Sequence, residues 1–225
     1  MDNKYRYEIK YKINQNHGLL LEDWLNTKIN KATIYEPRWN NTIYYDTTDL
    51  SSAEDNLSGY SERVKYRVRW YGDNLISQKL NIEYKIKKNK LSYKKIFKSD
   101  LKLNDLPSIN PFNLNFYNKE NEEDKEFVFN ILNNRNYYPI IKIKYLRQYF
   151  YYDKIRITVD KKLDYELYNN KNFSSIDDNI ILELKTNETN LTNLKNLTSK
   201  IPFMVSRNSK YLTGLSACKK ANFYF

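Results

Sequence analysis

Alternation of apolar and polar positions with period two runs through most of the chain. It is clearest in "YRYEIKYKI" (5–13), "NTIYYD" (41–46), "VKYRVRWYG" (64–72), "NIEYKIKK" (81–88), "PIIKIKYLRQYFYY" (139–152), "KIRITVD" (154–160) and "NIILELKT" (179–186). β-Branched and aromatic residues alternate there with charged ones, which predicts strands with two unlike faces. A helical period replaces it in "NHGLLLEDWLNTKI" (16–29), through Leu20, Leu21, Trp24 and Leu25, and in "EEDKEFVFNILNNR" (122–135), through Phe127, Ile131 and Leu132. Leu191, Leu194, Leu197 and Ile201 predict a third helix, and "SRNSKYLTGLSACKK" (206–220) a fourth that Ser206 is placed to cap. The stretch "KSDLKLNDLPSINPFNLNFYNKENEED" (98–124) shows turn residues and little period.

The strand faces carry charge in a repeated way. Lys65, Arg67 and Arg69 share one face; so do Glu8, Lys10 and Lys12, then Glu83, Lys85 and Lys87, then Arg156, Thr158 and Asp160, then Glu183 and Lys185. A solvated sheet face accounts for any one of these strands. Same-face neighbours in a strand are about 7 Å apart, so like charges there repel by roughly 2 kcal/mol, which disfavours chance repetition. The chain prefers lysine to arginine, yet places Arg67 and Arg69 together, with Arg147 and Arg156 elsewhere. The guanidinium fork matches phosphate oxygens bidentately. If the strands close, such faces can line a wet interior that takes a polyanion, and Glu8, Glu83 and Glu183 then either hold a divalent cation or neutralise adjacent lysines. In 139–150 Arg147 falls on the face opposite Lys142 and Lys144 unless a bulge intervenes, which leaves its orientation open.

Composition narrows the classes. The 225 residues carry a formal net charge of +11, and the high Lys and Asn content weakens that charge as evidence of a partner. A single domain spanning 1–225 is expected. No apolar run reaches the roughly 20 residues of a membrane span, the first residues lack the apolar core of a signal peptide, and Cys218 is alone. A cytoplasmic location is therefore expected, without membrane insertion by this chain; a membrane partner protein stays open. One His and one Cys give poor support for zinc, and no GxxxxGK phosphate loop occurs. The aromatics alternate with the cations, whereas a single-strand nucleic-acid binder mixes the two on one surface, so no nucleic-acid partner is expected.

"RYEIKYKI", "NTIYYDT", "YRVRWYG", "EYKIK", "YLRQYF", "ILELKT" and "SRNSKYLTG" follow one another in this sequence. Taken together they resemble the polyphosphate polymerase domain of the vacuolar transporter chaperone family, within the triphosphate tunnel metalloenzymes. The resemblance implies a mainly β, α+β fold: an antiparallel eight-stranded tunnel barrel with flanking helices. It implies a polymerase-like phosphotransferase that moves the γ-phosphate of ATP onto polyphosphate with Mn²⁺ or Mg²⁺. By the same resemblance Arg67, Arg69, Lys85, Arg147 and Lys210 carry the catalysis. Lys10, Lys87, Arg207 and Ser209 contact phosphate and Glu183 holds the metal; the charged faces add Arg156 and Lys185 as phosphate contacts and Glu8 as a second metal ligand. The hydrolytic relatives open on ExExK where this chain has "RYEIK", with Arg6 in place of the first glutamate. Lys87 stands where the polymerase pattern often has histidine. A triphosphatase and a noncatalytic polyphosphate or nucleotide sensor remain the alternatives.

Overall fold

The computed structural model describes residues 7–29, 33–72, 80–89, 91–99 and 135–219. The strands are β1 (Tyr7–Ile13), β2 (Thr33–Asp46), β3 (Glu62–Tyr71), β4 (Leu80–Lys88), β5 (Leu91–Ser99), β6 (Tyr138–Tyr152), β7 (Ile155–Leu167), β8 (Asn170–Asp177) and β9 (Ile180–Thr186). The helices are α1 (Gly18–Ile29), α2 (Ser51–Leu57), α3 (Leu191–Thr198) and α4 (Lys210–Ala217). All seven alternating segments are strands, and the three predicted helices within the described residues are present. The helix expected in 122–135 and the aperiodic 98–124 lie almost wholly outside the described residues.

Eight strands form one antiparallel path in the order β1-β9-β7-β6-β2-β3-β4-β5, and β8 pairs with β7 off that path. The expected eight strands are thus on the path, but its ends, β1 and β5, are not paired with each other among the described residues. The sheet curves, and its two arms meet through side chains: Lys85 of β4 reaches Glu8 of β1 at 3.6 Å.

The two faces of this curved sheet differ as the alternation requires. On the convex side Tyr11, Ile157, Val159, Leu182 and Leu184 pack against Leu21, Trp24 and Leu25 of α1 and Leu194 and Leu197 of α3. Leu20, expected on that face of α1, is half exposed, and Ile29 completes the buried stripe instead. The Trp24 indole N–H donates to the Lys200 carbonyl at 2.8 Å and ties α1 to the end of α3. On the concave side one end is filled by α4, whose Tyr211, Leu212 and Leu215 pack on Ile141, Ile143, Leu163, Tyr165 and Ile181. Tyr211 donates to the buried Asp46 carboxylate at 2.6 Å, which also accepts from the Ser52 and Ala53 amides at the start of α2.

Two bulges decide which residues share the concave face. The alternation of β6 runs uninterrupted from Ile141 to Tyr149, so Arg147 lies with Ile143 and Tyr145, opposite Lys142 and Lys144. The register shift between Lys144 and Leu146 is taken up by β7, where Lys162 has a φ of 54°. That extra residue swaps the parity of β7, so Asp160 before it and Leu163 and Tyr165 after it all face inward. In β2 a second shift, across Glu36 and Pro37, sets Tyr35 opposite Tyr149 and Arg38 opposite Arg147. Proline has no amide to give the ladder, which favours the irregularity there.

Candidate functional site

Beyond the apolar end filled by α4, the concave face is a continuous field of ion pairs. Arg67 and Glu83 are opposed in the β3–β4 register. The Arg67 Nε donates to Glu83 Oε2 at 2.7 Å, and Arg69 and Lys94 each approach the same carboxylate at 3.5 Å. Glu83 is 1% exposed. Burial pushes its carboxyl up, but Arg67, Arg69 and Lys94 outweigh it and hold the pKa at about 2. Glu83 is therefore a fixed negative charge that orders three cations, the ion-pairing of the two roles open to it. The arginines are braced further: Arg67 donates to the Tyr44 hydroxyl at 3.1 Å, and Arg69 to Thr42 Oγ1 at 3.1 Å and the Tyr145 hydroxyl at 3.4 Å.

A second cluster joins β1, β4 and β9. Lys10 lies opposite Glu183, and Glu8 opposite Lys185. Lys10 contacts Glu8 at 2.7 Å and Glu183 at 3.7 Å, while Lys185 lies 3.1 Å from both carboxylates. Burial and the mutual repulsion of the two acids raise the Glu8 carboxyl; Lys85 and Lys10 reverse this and leave it below its ordinary value. Burial likewise acts against ionisation of Glu183, yet Lys185 and Lys10 hold it well below the usual carboxylate range. Lys85 is pushed down to about 8, by burial and by Lys10 and Lys185, against the pull of Glu8. Lys65, facing Lys85 in register, lies well below the ordinary lysine value through burial and the charges of Lys85, Lys10 and Arg63.

The third cluster is built on Asp160, which is fully buried and opposed to Arg147. Arg147 grips both carboxylate oxygens, Nε to Oδ1 at 2.5 Å and Nη2 to Oδ2 at 2.6 Å, in the bidentate geometry of a guanidinium fork. Lys210, at the first position of α4, lies 2.6 Å from Oδ2. The segment before α4 closes this side of the trough. Ser206 does not cap the helix: its amide donates to the Lys10 carbonyl at 2.9 Å and its Oγ accepts from the Lys12 amide at 2.8 Å, along the edge of β1. Ser209 occupies the capping position without making a capping bond and instead accepts from Lys65 Nζ at 3.2 Å. Lys10 Nζ donates to the Asn208 carbonyl at 2.9 Å.

Of the residues singled out in the sequence, Lys10, Arg67, Arg69, Lys85, Arg147, Lys185, Lys210, Glu8 and Glu183 thus come together in these three clusters. Arg156 lies opposite Lys185 on the strand end away from α4. Lys87 lies at the α4 end, opposite Arg63, where burial and the charges of Arg63 and Arg207 lower its pKa. Lys12 is exposed. The tyrosines depart from the expectation that aromatics keep to the far side, since Tyr44, Tyr71, Tyr145 and Tyr149 share the face of the cations. Asp160 stood in the pattern without a role, and Lys94 sits on β5, a strand that the alternation did not pick out.

Among the described residues, Lys10, Lys65, Arg67, Arg69, Lys85, Lys94, Arg147, Lys185 and Lys210 share the three clusters with four carboxylates, Glu8, Glu83, Asp160 and Glu183. That is formally nine cations against four carboxylates. The surplus faces the concave side of the curved sheet, a trough of fixed positive charge that suits an extended polyanion. Among the described residues no group of three or more His, Cys, Asp or Glu is arranged to hold a metal. Glu8 and Glu183 nonetheless converge on one ammonium, each lying 3.1 Å from Lys185 Nζ. Two hard oxygen donors of this kind suit a divalent cation that completes its shell with water. No helix among the described residues is long and apolar enough to cross a membrane.

Solved structures with the same fold include a Hippeastrum protein assigned as an adenylyl cyclase, with a dominant triphosphatase activity. It is 17% identical, with a TM-score of 0.56 over 94% of this chain and 95% of that one. A Bacillus halodurans protein assigned as an adenylate cyclase is 13% identical, with a TM-score of 0.53 over 91% and 96% of the two chains. A Pyrococcus horikoshii protein is 15% identical, with a TM-score of 0.51 over 96% and 99%. No curated protein matches the sequence significantly. The family model of the VTC domain matches residues 5–219, nearly the whole chain, and the chain belongs to the VTC-domain family.

Proposed function

We propose that the trough binds the triphosphate of ATP and transfers its γ-phosphoryl group to the end of a polyphosphate chain. The observation that carries this reading is the surplus of cations held in fixed positions by a few buried carboxylates. Arg67 and Arg69 are anchored on Glu83, and Arg147 and Lys210 on Asp160, so their remaining donors are preorganised before a substrate arrives. In phosphoryl transfer the attacking oxygen comes from the acceptor phosphate. It bonds to the γ-phosphorus as the bond to the β–γ bridging oxygen breaks, and ADP leaves. The protein positions both anions and neutralises charge on the equatorial oxygens. That agrees with a site built from guanidinium and ammonium groups: the chain's one cysteine, Cys218, is buried in the apolar packing around α4.

Glu8 and Glu183 are the residues that would hold a divalent cation, which when bound supplies charge neutralisation at the phosphate oxygens. Lys10, Lys185 and Lys85 set the charge balance around them. Hydrolysis is the second reading, favoured by the triphosphatase activity of the Hippeastrum protein of the same fold. Incubation with ATP and Mn²⁺, with and without a short polyphosphate primer, separates the two. The polymerase yields ADP with lengthening polyphosphate, the triphosphatase equal amounts of ADP and free phosphate. Tight binding without turnover would leave a sensor.

A further inference from the structure

The end of the trough away from α4 is built differently from its centre. There the guanidinium of Arg38 is held by aromatic rings. Its Cζ lies 4.2 Å from the ring centre of Tyr71 and 4.9 Å from that of Tyr149, and both Nε and Nη2 donate to the Tyr149 hydroxyl at 3.3 Å. Tyr35 meets Tyr149 edge to face at 5.8 Å and lies 5.9 Å from the guanidinium, yet it is 60% exposed. One chain irregularity puts these groups on one side. The shift across Glu36 and Pro37 brings Tyr35 into register with Tyr149, and Arg38 faces Arg147 at the rim of the charged field. Beside them Asn40 is fully buried, and its Oδ1 has no hydrogen-bond partner among the described residues.

A planar guanidinium stacked on tyrosine, next to an open tyrosine ring, is a surface for a flat heteroaromatic group. Phosphate alone gives no reason for it. Arg38 lies about 13 Å along β2 from Thr42, the residue bracing Arg69, by a strand rise of about 3.3 Å per residue. Resting on the reading of the trough as a triphosphate site, the geometry points to Tyr35, Arg38, Tyr71 and Tyr149 as the docking surface for the base of a nucleoside triphosphate. The base stacks on Tyr35 and the Arg38 plane at the open mouth. The phosphates run inward past Arg147 toward Lys210, so the γ-phosphate is the one delivered to the α4 end. The mouth thereby selects the nucleotide donor, and an inorganic chain gains nothing from it.

The test is isothermal titration of ATP and of inorganic tripolyphosphate into the wild type, Tyr35→Ala and Tyr35→Phe. Because Tyr35 is largely exposed, neither change should disturb folding. Tyr35→Ala should weaken ATP about 5- to 150-fold, the range for losing one stacked base, and leave tripolyphosphate unchanged; Tyr35→Phe should bind both as the wild type does. If tripolyphosphate binds and Tyr35→Ala leaves ATP affinity intact, or lowers both ligands equally, the mouth does not read the base. If tripolyphosphate does not bind even to the wild type, the triphosphate reading falls and this inference falls with it.

Discussion

Glu83 receives the Arg67 Nε at 2.7 Å from the position opposed to it across the β3–β4 ladder, and this buried pair organises the arginine side of the trough. Arg69 and Lys94 converge on the same carboxylate. Removing its charge leaves three cations facing one another in a partly buried space. Glu83→Gln should therefore destabilise the fold by about 3 kcal/mol, the scale for breaking a buried ion pair from one side. Urea denaturation measures this. Added tripolyphosphate should recover much of the loss, because a bound anion replaces the missing charge. An unchanged midpoint would mean that the arginines do not depend on Glu83.

Arg67→Ala and Arg69→Ala should each weaken tripolyphosphate binding by about 1.5 to 3 kcal/mol, the usual worth of a charge-assisted hydrogen bond. Calorimetric titration of variants that still melt cooperatively is the check. Wild-type affinity in both would show that these guanidiniums serve only to anchor Glu83.

Much of this arrangement was legible in the sequence, because period two alone puts Arg67 with Arg69 and Glu183 with Lys185. The parts that were not legible have physical reasons. Strand β8 is exposed along most of its length, so no apolar face marks it. Helix α2 buries only Ser52 and Ala53 and has too little period to stand out. The turn from β6 to β7 places Asp153 and Lys154 at φ values of 46° and 63°, without the glycine that usually signals such a hairpin. Parity also changes silently at a bulge: no residue type announces Lys162, yet without it Asp160 and Tyr165 would not face the same space. The family resemblance supplied roles for Lys210 and Ser209 that spacing alone could not, since their nearness to Asp160 and Lys65 is created by how α4 packs.

The depressed lysines give a pH dependence with a definite sign. Lys85 titrates near 8 in the folded protein, against an ordinary value of 10.5. Only its charged form attracts phosphate, so tripolyphosphate affinity should fall as pH rises through about 8, and binding near that pH should take up protons. Stability runs the other way. Between the folded and ordinary values the unfolded chain holds more protons on this group, so its contribution makes the free protein more stable as pH rises. Titrations in buffers of different ionisation enthalpy read the proton uptake. Affinity that is flat between about pH 7 and about pH 9 would remove Lys85 from the binding surface.

Glu183→Gln tests the carboxylate pair separately from the arginines. With Glu8 left alone, metal-dependent turnover of ATP should fall at least about 10-fold. Tripolyphosphate affinity measured in a chelator should hold or rise, because a negative charge has left the trough. A parallel loss of both would assign Glu183 to ordering Lys10 and Lys185 instead.

Gly214 connects the apolar end of the trough to its charged centre. A Cβ there would come within 2.6 Å of Tyr165 Cδ1 and 2.8 Å of Ile141 Cδ1, both on strands that form the floor beneath α4. Gly214 is helical and has no need of positive φ, so the constraint is space alone. Gly214→Ala gains helix propensity but must lift α4 or displace buried rings, and the overpacking should prevail at about 1 to 3 kcal/mol. Lifting α4 also moves its first turn, and with it Lys210 away from Asp160 and Ser209 away from Lys65. The substitution should therefore weaken tripolyphosphate binding although Gly214 touches no charged group. A variant that loses stability but binds as the wild type would show that the phosphate end of α4 is positioned by its ion pairs and not by how the helix packs below.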